Sequence, residues 1–190
     1  MPEFAQKQGT DFLSKNPRSV EKEALIFTMM KAKYDDIGIG YNQTRKADPY
    51  LASRPFTHLN PQGGGKYLDI GCGTGNYTNA LNKMGLDFIG VDPSEKMLQA
   101  ARAKNENIIW KKGNAEDIPL ADQSVNGIMA SLTLHHWDSL ENGFRELSRV
   151  LKPGGHLVIF TATPKQMRGY WLNHYFSRML QDSIVQMPDY

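Results

Sequence analysis

From Lys66 onward, short apolar runs alternate with amphipathic stretches, and that alternation predicts strands and helices in turn. Lys66–Ile70 reads as a buried strand, followed by a glycine loop and a helix carrying Tyr77, Leu81 and Met84 that Gly85 ends. Residues 86–91 read as a second strand. Asp92-Pro93-Ser94 then caps a helix whose inner face is Met97, Leu98 and Ala101. Strands three, four and five are expected at 107–111, 125–131 and 156–162. Between the last two, Leu140, Phe144, Leu147 and Leu151 mark one face of a helix closed by Lys152-Pro153-Gly154-Gly155. Such a succession implies right-handed βαβ crossovers and an α/β fold, with a doubly wound, mostly parallel sheet covered on both faces.

The flanks read differently. Residues 1–17 are polar and close on Asn16-Pro17, which predicts a mobile N-terminal arm. Ala24, Phe27, Met30 and Tyr34 recur at helical spacing, and the stretch with Gly38, Gly40, Tyr41 and Asn42 reads as a loop. A helix is expected from about Pro49 to Leu59, capped by Asp48 with Pro49 at its first position. The domain layout that follows is an arm at 1–17, a helical segment at 18–62, a core at 63–163 and a C-terminal helix at 164–190. That last helix is expected from Trp171, Tyr175, Phe176, Met179, Leu180 and Ile184.

Composition narrows the function classes. With 190 residues the chain is long enough for one ordinary domain. Its 22 basic against 20 acidic residues give no electrostatic case for nucleic acid or an anionic membrane, so neither is expected as a partner. Cys72 is the only cysteine, which excludes an internal disulfide and a Cys-based zinc site, and no metal is expected. No apolar run approaches the ~20 residues needed to span a membrane, and the polar N-terminus has no signal-like apolar core. A cytoplasmic protein is the expectation.

The loop Asp69-Ile70-Gly71-Cys72-Gly73-Thr74-Gly75 carries the candidate chemistry. Glycines between a first strand and a first helix let a ligand approach the backbone closely. Their spacing is GxGxG, and Asn76 stands where the dinucleotide pattern GxGxxG would need a glycine. Asp69 would repel a pyrophosphate but could pair with the α-amino group of a methionine moiety. S-adenosylmethionine carries a sulfonium and an ammonium and no phosphate, so the charges favour it over NAD. Asp92, at the end of the second strand, could accept hydrogen bonds from ribose hydroxyls, or it could simply cap the next helix. Gly113-Asn114-Ala115-Glu116-Asp117 could meet an adenine edge, or be a polar turn.

The run 67–75 resembles the first motif of class I methyltransferases. Gly90-Val91-Asp92-Pro93-Ser94 with Met97-Leu98 is similar to the next motif. Residues 115–120 and Ser131-Leu132-Thr133-Leu134-His135-His136-Trp137 are similar to the middle of that family, and 147–155 to its late motif. In order and spacing they resemble the small-molecule branch that includes ubiquinone/menaquinone-biosynthesis-type enzymes, over about residues 34–163. The resemblance implies a Rossmann-like fold that binds S-adenosylmethionine and releases S-adenosylhomocysteine after methylating a small-molecule acceptor. It implies that Asp69, Gly71, Cys72, Gly73 and Gly75 surround the methionine half, and that Asp92 and Pro93 lie at the ribose. Met97, Asn114, Ala115 and Glu116 are implied beside adenine, and Ser131 and Leu132 as pocket lining. Tyr34, Tyr41 and Arg45 match a pattern in which the 18–62 segment folds over the cofactor. Arg45 would then pair with the methionine carboxylate, or be a solvated surface arginine.

Methyl transfer from a sulfonium is an in-line displacement for which the protein mainly aligns the acceptor and excludes water. His136, with His135 as its neighbour, is the candidate general base; the competing reading is that both pack the loop with Trp137. Tyr170, Trp171, His174 and Tyr175 are either an acceptor wall or plain core packing. The chain departs from the family pattern in lacking a sixth and a seventh strand, as a truncation or a natural short form. That leaves a catalytically incomplete cofactor-binding module as the rival reading, and a fifth-strand edge open to homodimerisation.

Overall fold

The computed structural model describes residues 47–61, 63–175, 178, 181, 184, 185 and 187. The expected arm at 1–17, the helix at 20–34, Tyr34, Tyr41 and Arg45 lie outside the described residues. The first described helix, α1, spans Pro49–Leu59, as its sequence predicts: the Asp48 carboxylate accepts from the Leu51 N–H, and Pro49 occupies a position that has no N–H to satisfy. Alternation then follows as β1 (Lys66–Ile70), α2 (Asn76–Lys83), β2 (Asp87–Asp92), α3 (Glu95–Lys104) and β3 (Ile109–Lys112). After these come β4 (Val125–Ser131), a 3-10 turn (Leu134–His136), α4 (Leu140–Val150) and β5 (Leu151–Phe160).

The five strands form one wholly parallel sheet in the order β3-β2-β1-β4-β5. Leu68, Ile70, Ile89, Val91, Ile128 and Ala130 point to one face, where Leu147 and Val150 of α4 bury them. Tyr67, Phe88 and Met129 point to the other, against Leu59 of α1 and Leu81 of α2. α3 covers the outer part of that second face through Leu98 and Ala101, which pack with Ile108 and Trp110. Winding outward from β1 to β3 and then from β4 to β5 puts the change of direction between β1 and β4. In open α/β sheets ligands sit at such a switch point, beyond the strands' C-terminal ends.

Three expectations need correction. The second and third strands are displaced by one or two residues, to Asp87–Asp92 and Ile109–Lys112. The fifth was placed at 156–162 behind a Pro-Gly-Gly break, whereas β5 starts at Leu151, directly after α4, and stops at Phe160. The pairing runs Val125↔Leu151 and then shifts register to Gly127↔His156. Gly154 at φ 78° absorbs the extra residues as a bulge, so this glycine bends a strand rather than ending a helix. The C-terminal helix expected over 164–190 is broken among the described residues. A short α5 (Pro164–Arg168), opened by a Thr163–Gln166 capping box, stops at Gly169, and a 3-10 turn (Trp171–His174) follows. No helix among the described residues is long and apolar enough to cross a membrane.

Candidate functional site

The loop from Gly71 to Gly75 closes over the C-terminal end of β1. The N–H groups of Gly71 and Cys72 both donate to Val91 O of β2, at 2.8 and 3.1 Å, and Gly75 N donates to Cys72 O at 2.9 Å. Gly71, Gly73 and Gly75 have φ of 70°, 53° and 69°, the left-handed region that side chains avoid. Gly71 is doubly constrained, because a Cβ there would lie 2.0 Å from Thr133 Oγ1. Behind the loop, Trp110 of β3 lays its indole where Cβ atoms of Gly75 and Gly90 would stand, and donates from Nε1 to Asn105 O at 2.8 Å. Cys72, half-buried, has a thiol pushed well above its ordinary range by burial, then by the charges of Asp69 and Asp92.

Asp69 ends β1 on the face that α2 covers, and is 2 % exposed. Thr78 Oγ1 of α2 donates to its Oδ2 at 2.5 Å, while Oδ1 is buried with no hydrogen-bond partner among the described residues. Burial raises the carboxyl to a pKa of about 7, against the Thr78 hydrogen bond that lowers it; the charge of Asp92 raises it further. Asp92 ends β2 and holds the loop from inside, with Oδ2 accepting from Gly73 N at 2.8 Å and Oδ1 from Ser94 N at 2.9 Å. Burial raises its pKa too, opposed by those two N–H groups. Ser94, not Asp92, is the N-cap of α3, accepting from Met97 N at 3.3 Å. Each Asp92 oxygen therefore keeps further acceptor capacity.

Around this centre the other candidates separate. Pro93 and Asn114, both exposed, line an open hollow of about 200 Å³ with Lys112, Gly113 and Asp117. Met97 is buried beneath α3, and Ala115 is buried in the core beside Ile118. Glu116 turns its carboxylate to the start of α4, accepting from Ser139 N at 3.1 Å. Ser131 ends β4, and Leu132 follows at φ 52°, an unusual conformation for a leucine, with its N–H on Phe160 O at 2.7 Å. His135 and His136 sit on the 3-10 turn with ring centroids 3.7 Å apart, and Trp137 packs against Gly143 and Phe144. Tyr170, Trp171 and Tyr175 are 52, 65 and 70 % exposed, which removes the core-packing reading for them.

Sequence reasoning missed Thr78, Thr133, Trp110 and Lys104. Lys104 Nζ donates to Thr74 O, Thr74 Oγ1 and Asn76 Oδ1 at 2.9, 2.8 and 2.7 Å. Nothing local in the sequence announces these contacts, which join the loop to residues 9 to 62 positions distant. Among the described residues no cluster of three or more His, Cys, Asp or Glu could hold a metal ion.

Fold and loop together define an α/β protein with a glycine loop at the β1–β4 switch point, where open α/β sheets place their ligands, and, at the end of β1, a buried carboxylate oxygen unpartnered among the described residues. Residues 68–159 match the family model described as a methyltransferase domain. The chain is 32 % identical over 152 residues to a malonyl-[acyl-carrier protein] O-methyltransferase of Erwinia pyrifoliae, covering 80 % of this chain and 56 % of that protein. It is 33 % identical over 147 residues to a demethylmenaquinone methyltransferase of Corynebacterium kroppenstedtii, covering 77 % and 61 %. A crystal structure of a putative methyltransferase from an antibiotic biosynthesis pathway of Anabaena variabilis superposes with TM-score 0.71 at 34 % identity, covering 77 % of this chain and 58 % of that one. The chain thus spans little more than half the length of these relatives. Together these likenesses support a class I S-adenosylmethionine-dependent methyltransferase.

Proposed function

We propose that this chain binds S-adenosylmethionine in the Gly71–Gly75 loop and forms the cofactor-holding part of an enzyme that methylates a small-molecule acceptor. The observation that carries this reading is the orphaned Asp69 Oδ1: a buried carboxylate oxygen with free lone pairs fits a ligand ammonium. Gly73, with open space where a side chain would stand, lets the backbone approach the methionine end, while the bare Gly71 admits Thr133. Asp92 has remaining acceptor capacity for two ribose hydroxyls, and Pro93 and Asn114 border a hollow open to the adenine. Ser131 and Leu132 close the pocket at the end of β4. Tyr41 and Arg45, if they fold over the ligand, complete it.

The cofactor, when bound, supplies an electrophilic methyl group on a sulfonium. The remaining work of this chain is to hold that end rigid, exclude water and leave the acceptor a line of approach past Leu132 and the His135–His136 turn. His136 is the candidate to take a proton from an acceptor that must lose one. Of the two curated relatives, one is named for a quinone acceptor, which supports a small molecule, and the other for a malonyl group on a carrier protein, so their names do not choose the acceptor. A cofactor-binding module without turnover is the rival reading. Activity on any acceptor separates the two. β5 has β4 on one side and no strand on the other among the described residues, so a homodimer through that edge belongs to the proposal; size-exclusion chromatography showing a monomer rejects it.

Calorimetric titration with S-adenosylhomocysteine, with NAD as control, tests the cofactor assignment. One-site binding to the first and none to the second is expected. Tight NAD binding, or a folded protein that binds neither, overturns it.

A further inference from the structure

Lys104 is the last residue of α3, a position where a lysine ordinarily extends into water; Arg102 in the same turn does so, pairing with Glu95 at the surface. Lys104 instead turns onto the outside of the glycine loop. Its ammonium has three donors, and each has an acceptor there: the carbonyl of Thr74, the hydroxyl of Thr74 and the Asn76 side-chain oxygen. Thr74 itself is 3 % exposed. Burial lowers the lysine's pKa, and none of these three partners is a carboxylate that would compensate.

The loop needs such a restraint. Three of its five residues are glycines in the left-handed region, so few intrinsic preferences hold its shape. Helix α2 starts on Gly75, with no side-chain cap among the described residues. On the inner side Asp92 takes the Gly73 N–H, and beneath it Trp110 stops Gly75. The outer side, between those two fixed points, is held by Lys104. We propose that Lys104 is the outer latch of the cofactor loop, a positioning residue that sets the loop's affinity for the amino-acid end of the cofactor. This rests on the cofactor assignment above, and two measurements keep the two claims apart.

The first needs no ligand. Amide hydrogen exchange at Gly73 and Gly75 is compared in the wild-type protein, Lys104→Met, Lys104→Arg and Asn76→Ala. Lys104→Met is expected to speed exchange there about tenfold or more and to leave the β1 amides unchanged. Arginine's planar fork cannot put three donors at one point, so Lys104→Arg falls between. Asn76→Ala, which removes one of three acceptors, gives a smaller change of the same sign.

The second measurement is titration with S-adenosylhomocysteine and with 5′-methylthioadenosine, which has the adenosine and thioether but no amino-acid end. Lys104→Met should weaken the first about tenfold and the second less than twofold. A merely structural role would weaken both alike. Equal losses, or wild-type exchange in a folded Lys104→Met protein, overturn the proposal. Should Lys104→Met not fold, unchanged exchange and affinity in both Lys104→Arg and Asn76→Ala overturn it instead. Faster exchange in a protein whose wild type binds neither ligand overturns the cofactor assignment, and with it the positioning role.

Discussion

Asp69 makes the protein's stability and its ligand affinity run in opposite directions with pH. In the ligand-free fold its pKa is about 7, against 3.8 for an unperturbed aspartate, because burial disfavours the charge. The folded form therefore keeps a proton that the unfolded chain has already released between those two values. Stability from this group is complete below about pH 4 and declines until about pH 7, where it levels off. Each unit is worth about 1.4 kcal/mol, so the full span is about 4 kcal/mol, and about 3 kcal/mol falls between pH 5 and 8. The assay is urea unfolding of the wild type and Asp69→Asn across that range. Asp92, shifted the same way, is present in both proteins and drops out of their difference to first order. A ligand ammonium pairs only with the ionised carboxylate. S-adenosylhomocysteine, whose own groups do not titrate in this interval, should therefore bind roughly 20-fold more weakly at pH 5.5 than at 7.5. Asp69→Asn should bind weakly and without that slope. A stability difference that stays flat from pH 5 to 8, together with a pH-independent affinity, would refute the account of a buried, unpaired carboxylate.

Gly90→Ala should cost about 2 kcal/mol or more, since its Cβ would stand 2.3 Å from Trp110 Cε3, and a shifted tryptophan emission should accompany the loss. Arg149→Leu strips donors from Ile118 O and Leu120 O and leaves Glu146 without its cation, so chemical unfolding should show a loss of about 2 kcal/mol. The Asp122 partner is 75 % exposed and contributes little to that figure, so Asp122→Ala should change stability by less than about 0.5 kcal/mol. His136→Ala is expected to lower methyl transfer to an acceptor that must lose a proton while leaving S-adenosylhomocysteine affinity unchanged; equal turnover in both proteins removes the base role.

The parts of the fold that could be read from sequence are those whose cause is local. Pro49 behind Asp48 starts a helix because the cap and the missing N–H both act within one turn. β1, the glycine loop and Asp92 could be read because strand length, φ requirement and charge all lie within a few residues. The start of β5 could not, because Pro153-Gly154-Gly155 has the composition of a break; only pairing with Val125, 26 residues away, turns Gly154 into a bulge. The C-terminal segment was legible only in part. The apolar spacing that marks it begins at Trp171, and Arg178, Gln181, Ile184 and Val185 are helical, but the stop of α5 at Gly169 is set by a glycine that this spacing does not reach. Lys104 was hidden by its surroundings. In the run Arg102-Ala103-Lys104 it reads as a basic last turn suited to a helix C-terminus, and only the packing of α3 beside the loop lays its ammonium against Thr74 and Asn76.

The proposed ligand class rests on charge more than on glycine spacing, which many nucleotide sites share. Two buried carboxylates flank one loop, and each is raised towards its neutral form. At an effective dielectric near 20, a negative charge brought within about 5 Å of either would cost roughly 3 kcal/mol, and a pyrophosphate brings more than one. A positive group at the same distance gains a similar amount and also meets the one buried Asp69 oxygen that the fold leaves without a donor among the described residues. The same backbone shape with a neutral residue at 69 would lose that discrimination. Asp69→Asn is therefore expected to weaken S-adenosylhomocysteine while relieving the repulsion of a pyrophosphate, so that the gap between it and NAD narrows from both sides.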